Sequence, residues 1–462
     1  MNVANSPSDE ELLIKKFGNR HVQMIFLFLV CSLCMAQRTN LSIAIVAMTG
    51  KNSTSANPDV PIYNWDKVSI IVGGFFYGYL VLQIPSGFIA KFYSSKHLLL
   101  WSFFINTVAF ILIPVIADVG GADAVIVMRF IQGLGQGCLF PCAQTILGRW
   151  SPPSERSTFG GIVFSGINVG SVVSFFTTGF ICASWQGWPY SFYLWGLLGL
   201  VWCLLYFFFG FSKPADNPRI NPEELDYIQR TLHQTAADKE PKLPFKQIML
   251  SVPFWATASA NIGNSFAYTT MMTQVSIYLA NVMKFKIGAN GMVSACPYIA
   301  ASIMGWVYSP ISDCLIQKHI LRRVNARRFF QCFGAYGMGI SLIMVGYFSN
   351  TQFLAVFLLT LANMFYAATL CAYSLSQVDL SPKFCGIMYG ISNSLSFVVG
   401  MFSTVLVYYI VTDDENRHQW QIVFIITAVI YIASATIYAI FVTADRQPWD
   451  SAPEDLPTTP TT

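Results

Sequence analysis

Charge is what this chain lacks most. Lysine, arginine, aspartate and glutamate make up 11% of its 462 residues, against 54% hydrophobic residues. A soluble domain carries roughly 25% charged residues, so a soluble globular protein of this length is excluded. The centres of the long apolar runs hold no aspartate, glutamate or histidine, which leaves an intramembrane proton relay without obvious members. No nucleophile–base–acid set, metal-ligand spacing or phosphate-cradling loop stands out, which argues against an enzyme, a metal or cofactor site, and an ATP-driven pump. The basic excess is small, a net charge of +4, and is no nucleic-acid signal. No cleavable leader is expected, because the first ~20 residues are polar and the apolar run after them is too long for a signal-peptide core. Cys31 and Cys34 have CxxC spacing on an apolar segment without a second pair, so packing is the expected role.

What is present is a series of apolar runs, each near the ~20 residues that cross a bilayer. About twelve are expected: 21–48, 66–90, 97–117, 124–147, 158–182, 189–211, 251–281, 288–312, 327–348, 352–379, 384–411 and 419–443. The chain thus reads as an all-α polytopic membrane protein. A tail (1–20) precedes a six-helix bundle (21–211), a polar connector (212–250), a second six-helix bundle (251–443) and a polar tail (444–462). The connector is expected to be solvated, with a helix starting near Asn221-Pro222, and the C-terminal tail to be disordered. Placing both termini in the cytosol puts about 20 of the 27 lysines and arginines on the cytosolic side, as the positive-inside rule requires. The loop after the first span carries the sequon Asn52-Ser-Thr, a candidate glycosylation site on the outer face.

Arg38 lies near the middle of the first span, flanked by Gln37, Thr39 and Asn40. An arginine at that depth is costly unless a partner or a water-filled cavity satisfies it. Four polar residues together predict a cavity-facing stretch, and a guanidinium suits planar, bidentate recognition of a carboxylate or phosphate. Arg129 opens the fourth span, where snorkelling or pairing with Asp123 accounts for it. Gly133, Gly135 and Gly137 follow no strand and read as close-packing positions. Gln132 and Gln136 share a helix face and either line a polar path or cross-link helices. Tyr77 and Tyr79 in span two, Asn264 and Tyr268 in span seven, and Asn393 in span eleven are candidates for shaping a binding cavity or for core packing.

Several motifs carry a family resemblance over almost the whole chain. They are Arg38-Thr-Asn-Leu-Ser42, Phe75-Phe-Tyr-Gly-Tyr79, Arg129-Phe-Ile-Gln-Gly133, Trp150-Ser-Pro-Pro-Ser-Glu155-Arg-Ser157, Asp379-Leu-Ser-Pro382, Gly390-Ile-Ser-Asn393 and Gln447-Pro-Trp449. With them the chain resembles the major facilitator superfamily and, within it, solute carrier family 17, nearest the inorganic phosphate cotransporter branch. The resemblance implies alternating-access transport of an organic or inorganic anion, with Arg38 as the anion-binding residue. It also implies interbundle gate residues at the cytosolic ends, here Lys91, Glu155, Arg156 and Asp313; Arg129, at the start of span four, is a further gating candidate. Proton-coupled relatives carry acidic residues where this chain has Gln132 and Gln136, and a histidine where it has Gln144. Glutamate-carrying relatives have a second arginine near Asn264. Glutamine relays no proton, so the expected driving force is sodium or membrane potential, with a small anion and the bilayer as partners, a monomeric state and a plasma-membrane address. A proton-coupled acidic-sugar or amino-acid symporter, and a receptor or anion channel on the same scaffold, are the alternatives.

Overall fold

The computed structural model describes residues 17–49, 57, 59–65, 68–232, 243–283, 287–349, 351–413 and 416–450. Within the helices a few side chains, that of Lys91 among them, also fall outside the described residues, as does Asn52. The described chain is helical throughout its long elements: α1 (Asn19–Thr49), α2 (Val68–Phe92), α3 (Ser95–Gly137), α4 (Leu139–Trp150), α5 (Arg156–Ala183), α6 (Trp188–Phe209), α7 (Pro222–Leu232), α8 (Phe245–Leu250) and α9 (Val252–Asn281). They continue with α10 (Ile287–Gln317), α11 (Arg323–Phe348), α12 (Gln352–Ala368), α13 (Tyr373–Leu380), α14 (Cys385–Ile410) and α15 (Arg417–Phe441).

Ten stretches are long and apolar enough to cross a membrane. One of them, Ser95–Trp150, makes two passes. Gly121 breaks its helix with φ 63° and ψ −158°, a left-handed backbone that glycine adopts without steric cost. The two legs then pack side by side, with Gln136 bonded to Asn106 and Gly135 set against the Ser102 carbonyl. The 30-residue helix Val252–Asn281 is also long enough to cross a bilayer, and the described helices are in keeping with the expected order of passes. In the tenth, a short 3-10 turn (Thr369–Cys371) separates α12 from α13.

The two largest apolar cores lie one mainly in each half, with Leu370, Leu375 and Tyr389 of the second half joining the first. One centres on Leu27, Phe103, Trp150, Trp202 and Tyr206, the other on Met338, Leu342, Trp420, Phe424 and Tyr431. Both described chain ends lie at the same end of the bundles, here termed proximal. Asn19 and Arg20 are bonded through their backbone N–H groups to Glu224 of the connector, and the Gln447 N–H donates to the Leu380 carbonyl.

Two expectations are corrected at this end. The connector is not simply solvated: α7 docks on the first half, because Glu224 satisfies the otherwise unpaired N–H groups opening α1 and pairs with the Arg20 guanidinium at 3.1 Å. The tail segment 443–450 is not disordered either. Buried Asp450 accepts from Ser381 and pairs with Arg446, and the Trp449 ring stands 6.0 Å from Phe384.

Candidate functional site

The halves are fastened to one another near the proximal end. Asp313 of α10 caps the start of α5, accepting from the Ser157 and Thr158 N–H groups at 3.1 and 2.6 Å. Arg156 of α5 reaches Asp379 of α13 at 2.7 Å. Asp379 also accepts from Arg327 Nε at 2.8 Å, and Arg327 Nη1 donates back across the interface to Ser157. Gln144 donates to the Ser374 carbonyl and Gln317 to the Ser154 carbonyl. Further along, Trp306 donates to Ser165 and Asn393 to the Tyr79 hydroxyl. These bonds fasten the interface from the proximal end up to that level.

Arg38 lies at the level where this seal ends, on the face of α1 turned to the interface. Its guanidinium carbon is 4.9 Å from the ring centres of Phe75 and Phe76, 5.8 Å from Tyr79 and 5.9 Å from Phe397. The first three rings come from α2, and Phe397 comes from α14 of the other half. Cation–π contact with several rings offsets part of the cost of holding the charge here. It occupies no N–H donor, and among the described residues the groups that act on Arg38 are these rings, Tyr268 and Cys34, with no carboxylate among them. Tyr268, across the interface, is within its electrostatic reach.

Close helix approach builds this arrangement. A Cβ at Gly133 would lie 2.0 Å from the Phe75 carbonyl, and one at Gly78 would lie 2.1 Å from the Phe130 carbonyl. Only glycine at these two positions lets α2 and the second leg of α3 touch backbone to backbone. The contact brings Arg129 to the same ring as Arg38, 4.9 Å from the centre of Phe75. Arg129 is therefore not a snorkelling residue. It is 3% exposed and bonds Gln132 at 2.7 Å rather than Asp123.

The other candidates divide by helical phase. Tyr77 is 67% exposed. Two residues along an α-helix turn the side chain by about 200°, so Phe75 and Tyr79 face Arg38 while Tyr77 faces away. The same geometry removes Asn40 from the cavity. It is buried against α5, where its Oδ1 accepts from Thr178. Gln37 and Thr39 are likewise turned into helix contacts, so of the polar run only Arg38 faces the interface.

Gln136 is a cross-link, donating to the Cys34 carbonyl and to Asn106, which in turn donates to Gln37. Asn264 has its amide fully engaged: Nδ2 donates to the hydroxyls of Tyr366 and Tyr373, while Oδ1 accepts from Thr369 and Tyr431. It is a structural hub with nothing left for a ligand. Tyr268 stacks on Tyr366 at 5.6 Å. Among the gate candidates, Arg156 and Asp313 lie between the halves, whereas Glu155 pairs within the first half with Arg20 at 2.8 Å. The Lys91 side chain lies outside the described residues.

Three functional positions escaped the sequence reading. Arg327 and Asp379 complete the proximal lock; both stand in noticed stretches, but nothing in the sequence pairs them. Phe397 carries no local signal, since its role depends on packing between the halves.

Residues 27–404 match the family profile described as Major Facilitator Superfamily. The chain belongs to that superfamily. A Drosophila ananassae protein designated a candidate inorganic phosphate cotransporter is 33% identical over 93% of this chain and 94% of its own length. Human vesicular glutamate transporter 2 is 31% identical over 89% of this chain and 72% of its own length. These relatives place this superfamily member in solute carrier family 17. Among solved structures, an outward-conformation structure of FucP, a superfamily transporter, covers 91% of this chain and 99% of its own with a TM-score of 0.66 at 13% identity. The proton:xylose symporter XylE covers 92% and 98% with a TM-score of 0.68 at 15% identity. At such identities the likeness concerns the fold. This superfamily member is a multi-pass membrane transporter, with two bundles meeting along the interface that holds Arg38.

Proposed function

We propose that this protein is a secondary transporter of small anions, working by alternating access, with Arg38 as the residue that binds the anionic group. The observation that carries the reading is the state of that guanidinium. It lies between the bundles at the end of the proximal seal, caged by four rings, with no carboxylate among the described groups that act on it. An arginine at that depth needs a counter-charge, and an entering anion supplies it. Alternating access then consists of opening the proximal lock, made by Arg156, Asp379, Arg327 and Asp313, as the distal side closes around the bound ligand. In the proposed topology the proximal end is cytosolic, in keeping with the positive-inside rule.

Sodium or membrane potential is the proposed driving force. The glutamines support it: Gln132 bonds Arg129, Gln136 bonds a carbonyl and an amide, and Gln144 bonds a carbonyl across the interface. All serve as hydrogen-bonding groups that do not titrate. Moving one charge through 100 mV supplies about 2.3 kcal/mol, roughly a 50-fold concentration ratio. A plasma-membrane address and a monomeric working unit complete the proposal. The test is uptake of labelled anions into proteoliposomes with sodium gradient, pH gradient and voltage imposed one at a time. Uptake that follows voltage or sodium and ignores pH supports the reading. Uptake driven only by a proton gradient overturns the coupling, and conduction far above carrier turnover overturns the mechanism.

A further inference from the structure

We propose that the tail segment 443–450 is a strap that holds Asp379 in place for the proximal lock, with Asp450 as its positioning residue. The inference rests on the proposed opening of that lock and adds what aims the carboxylate at its heart. Asp379 meets Arg156 of the first half at 2.7 Å and Arg327 of the second at 2.8 Å. An aspartate side chain is short, and hydrogen bonds weaken steeply once their geometry is lost, so the backbone around Asp379 decides whether both arginines are met. That backbone lies at the end of α13, where the last carbonyls of a helix have no intrahelical partners.

The tail supplies what the helix end lacks. The Gln447 N–H donates to the Leu380 carbonyl at 3.0 Å, one residue past Asp379. One residue further, the Ser381 hydroxyl donates to Asp450 and accepts from the Phe384 N–H at the start of α14. A carboxylate at 0% exposure is costly unless paired and hydrogen-bonded. Asp450 has Arg446 on its own turn for charge and Ser381 for its second oxygen. Trp449 closes the contact, packing into the apolar cluster that holds Leu380 and Phe384. At the other end of the strap, the Val442 carbonyl accepts from Arg328 at 2.9 Å, and Arg328 follows Arg327 in sequence. The strap thus ties α11 to the junction of α13 and α14, keeping Arg327 and Asp379 in register. Its bend is local: the Thr443 hydroxyl accepts from the Asp445 N–H, and Pro448 opens the 3-10 turn that ends at Asp450.

The experiment reads the rate at which an impermeant maleimide labels Cys371 of the full chain in inside-out vesicles, by peptide mass spectrometry. Cys371 is 0% exposed, sits in the turn packed against α5 of the first half, and belongs to a different apolar cluster from Trp449. Opening of the lock uncovers it. Asp450→Ala is expected to raise the rate about 10-fold, the weight of one hydrogen bond to a charged group. In an Arg156→Gln background the same change is expected to add less than about 2-fold, because both act through Asp379. Trp449→Leu is expected to behave likewise, and it keeps the test decisive where Asp450→Ala does not fold. Unchanged Cys371 labelling in a folded strap variant overturns the inference. So does full multiplication of the two effects in the double variant, which is what a general loosening of the second half gives. Failure of the underlying reading looks different: Arg156→Gln alone then leaves Cys371 labelling at the wild-type rate.

Discussion

Replacing Arg156 with glutamine weakens the proximal lock selectively. The Arg156–Asp379 pair spans the two halves at 2.7 Å, with side-chain exposures of 3% and 0%. It exists only while the proximal ends are together. Asp379 keeps its second partner, Arg327, at 2.8 Å, so the variant leaves no bare carboxylate inside the second half. What is lost is one charge-assisted hydrogen bond across the interface, worth about 1.5–3 kcal/mol. Taking roughly 2 kcal/mol, the ratio of inward-open to inward-closed protein rises about 30-fold. The chain carries its own reporter. Cys385 is 0% exposed and its thiol donates to the Gln144 carbonyl across the interface, so opening uncovers it. Buried Cys203 lies within the first half and serves as the internal reference. Inside-out vesicles treated with an impermeant maleimide, followed by peptide mass spectrometry, read both sites. Cys385 is expected to label about 30-fold faster in Arg156→Gln, with Cys203 unchanged. Equal Cys385 rates in the variant and wild type would refute the role of this pair as a lock.

Three further outcomes follow from the same geometry. Tyr77→Ala should leave uptake kinetics close to wild type, because the side chain faces away from Arg38; loss of transport at normal expression would contradict that placement. Asn264→Ala strips a buried hub of its four hydrogen bonds and should cost about 1–3 kcal/mol, read as a lower melting temperature in detergent; an unchanged melting temperature would count against the hub. Glu155 gives a pH signature at the proximal face. Burial holds its carboxyl above its ordinary value of 4.5, against the opposing pull of Arg20. A raised folded value means that its contribution is fully present below the ordinary value and lost as pH rises through the folded one. Acidification toward about pH 5 should therefore raise the melting temperature, and Glu155→Gln should remove that slope; the opposite slope in wild type would reverse the assignment.

The fold was legible because hydropathy decides it. Twelve apolar runs, a polar connector and the bias of basic residues are properties of segments, and segment boundaries fell within a few residues of the helices. Arg38 was legible for the same reason: a charge in an apolar run is conspicuous in one dimension. The surroundings of Arg38 were not, because they depend on helical phase and on packing. Tyr77 and Tyr79 look equivalent in sequence, yet about 200° of rotation separates them. Asn40 and Gln136 look like cavity residues until their hydrogen bonds are traced to Thr178, Cys34 and Asn106. Arg129 looked like a snorkelling partner of Asp123, because its distance to Phe75 is set by a glycine contact between helices, not by its position in the span. Asp379 and Arg327 lie 52 residues apart, and no local pattern announces such a pair. The docking of Glu224 onto the start of α1, across 205 residues to Asn19, was illegible for the same reason.

Anion uptake by Arg38→Ala and Arg38→Lys, set beside wild type at matched amounts of reconstituted protein, tests the central claim most directly. Lysine keeps the charge but loses the planar fork and its stacking on Phe75 and Phe76. Both variants should therefore lose uptake while keeping the wild-type elution profile and melting temperature. Near-normal uptake by the alanine variant would contradict the account, because the anion would then be held by something other than Arg38.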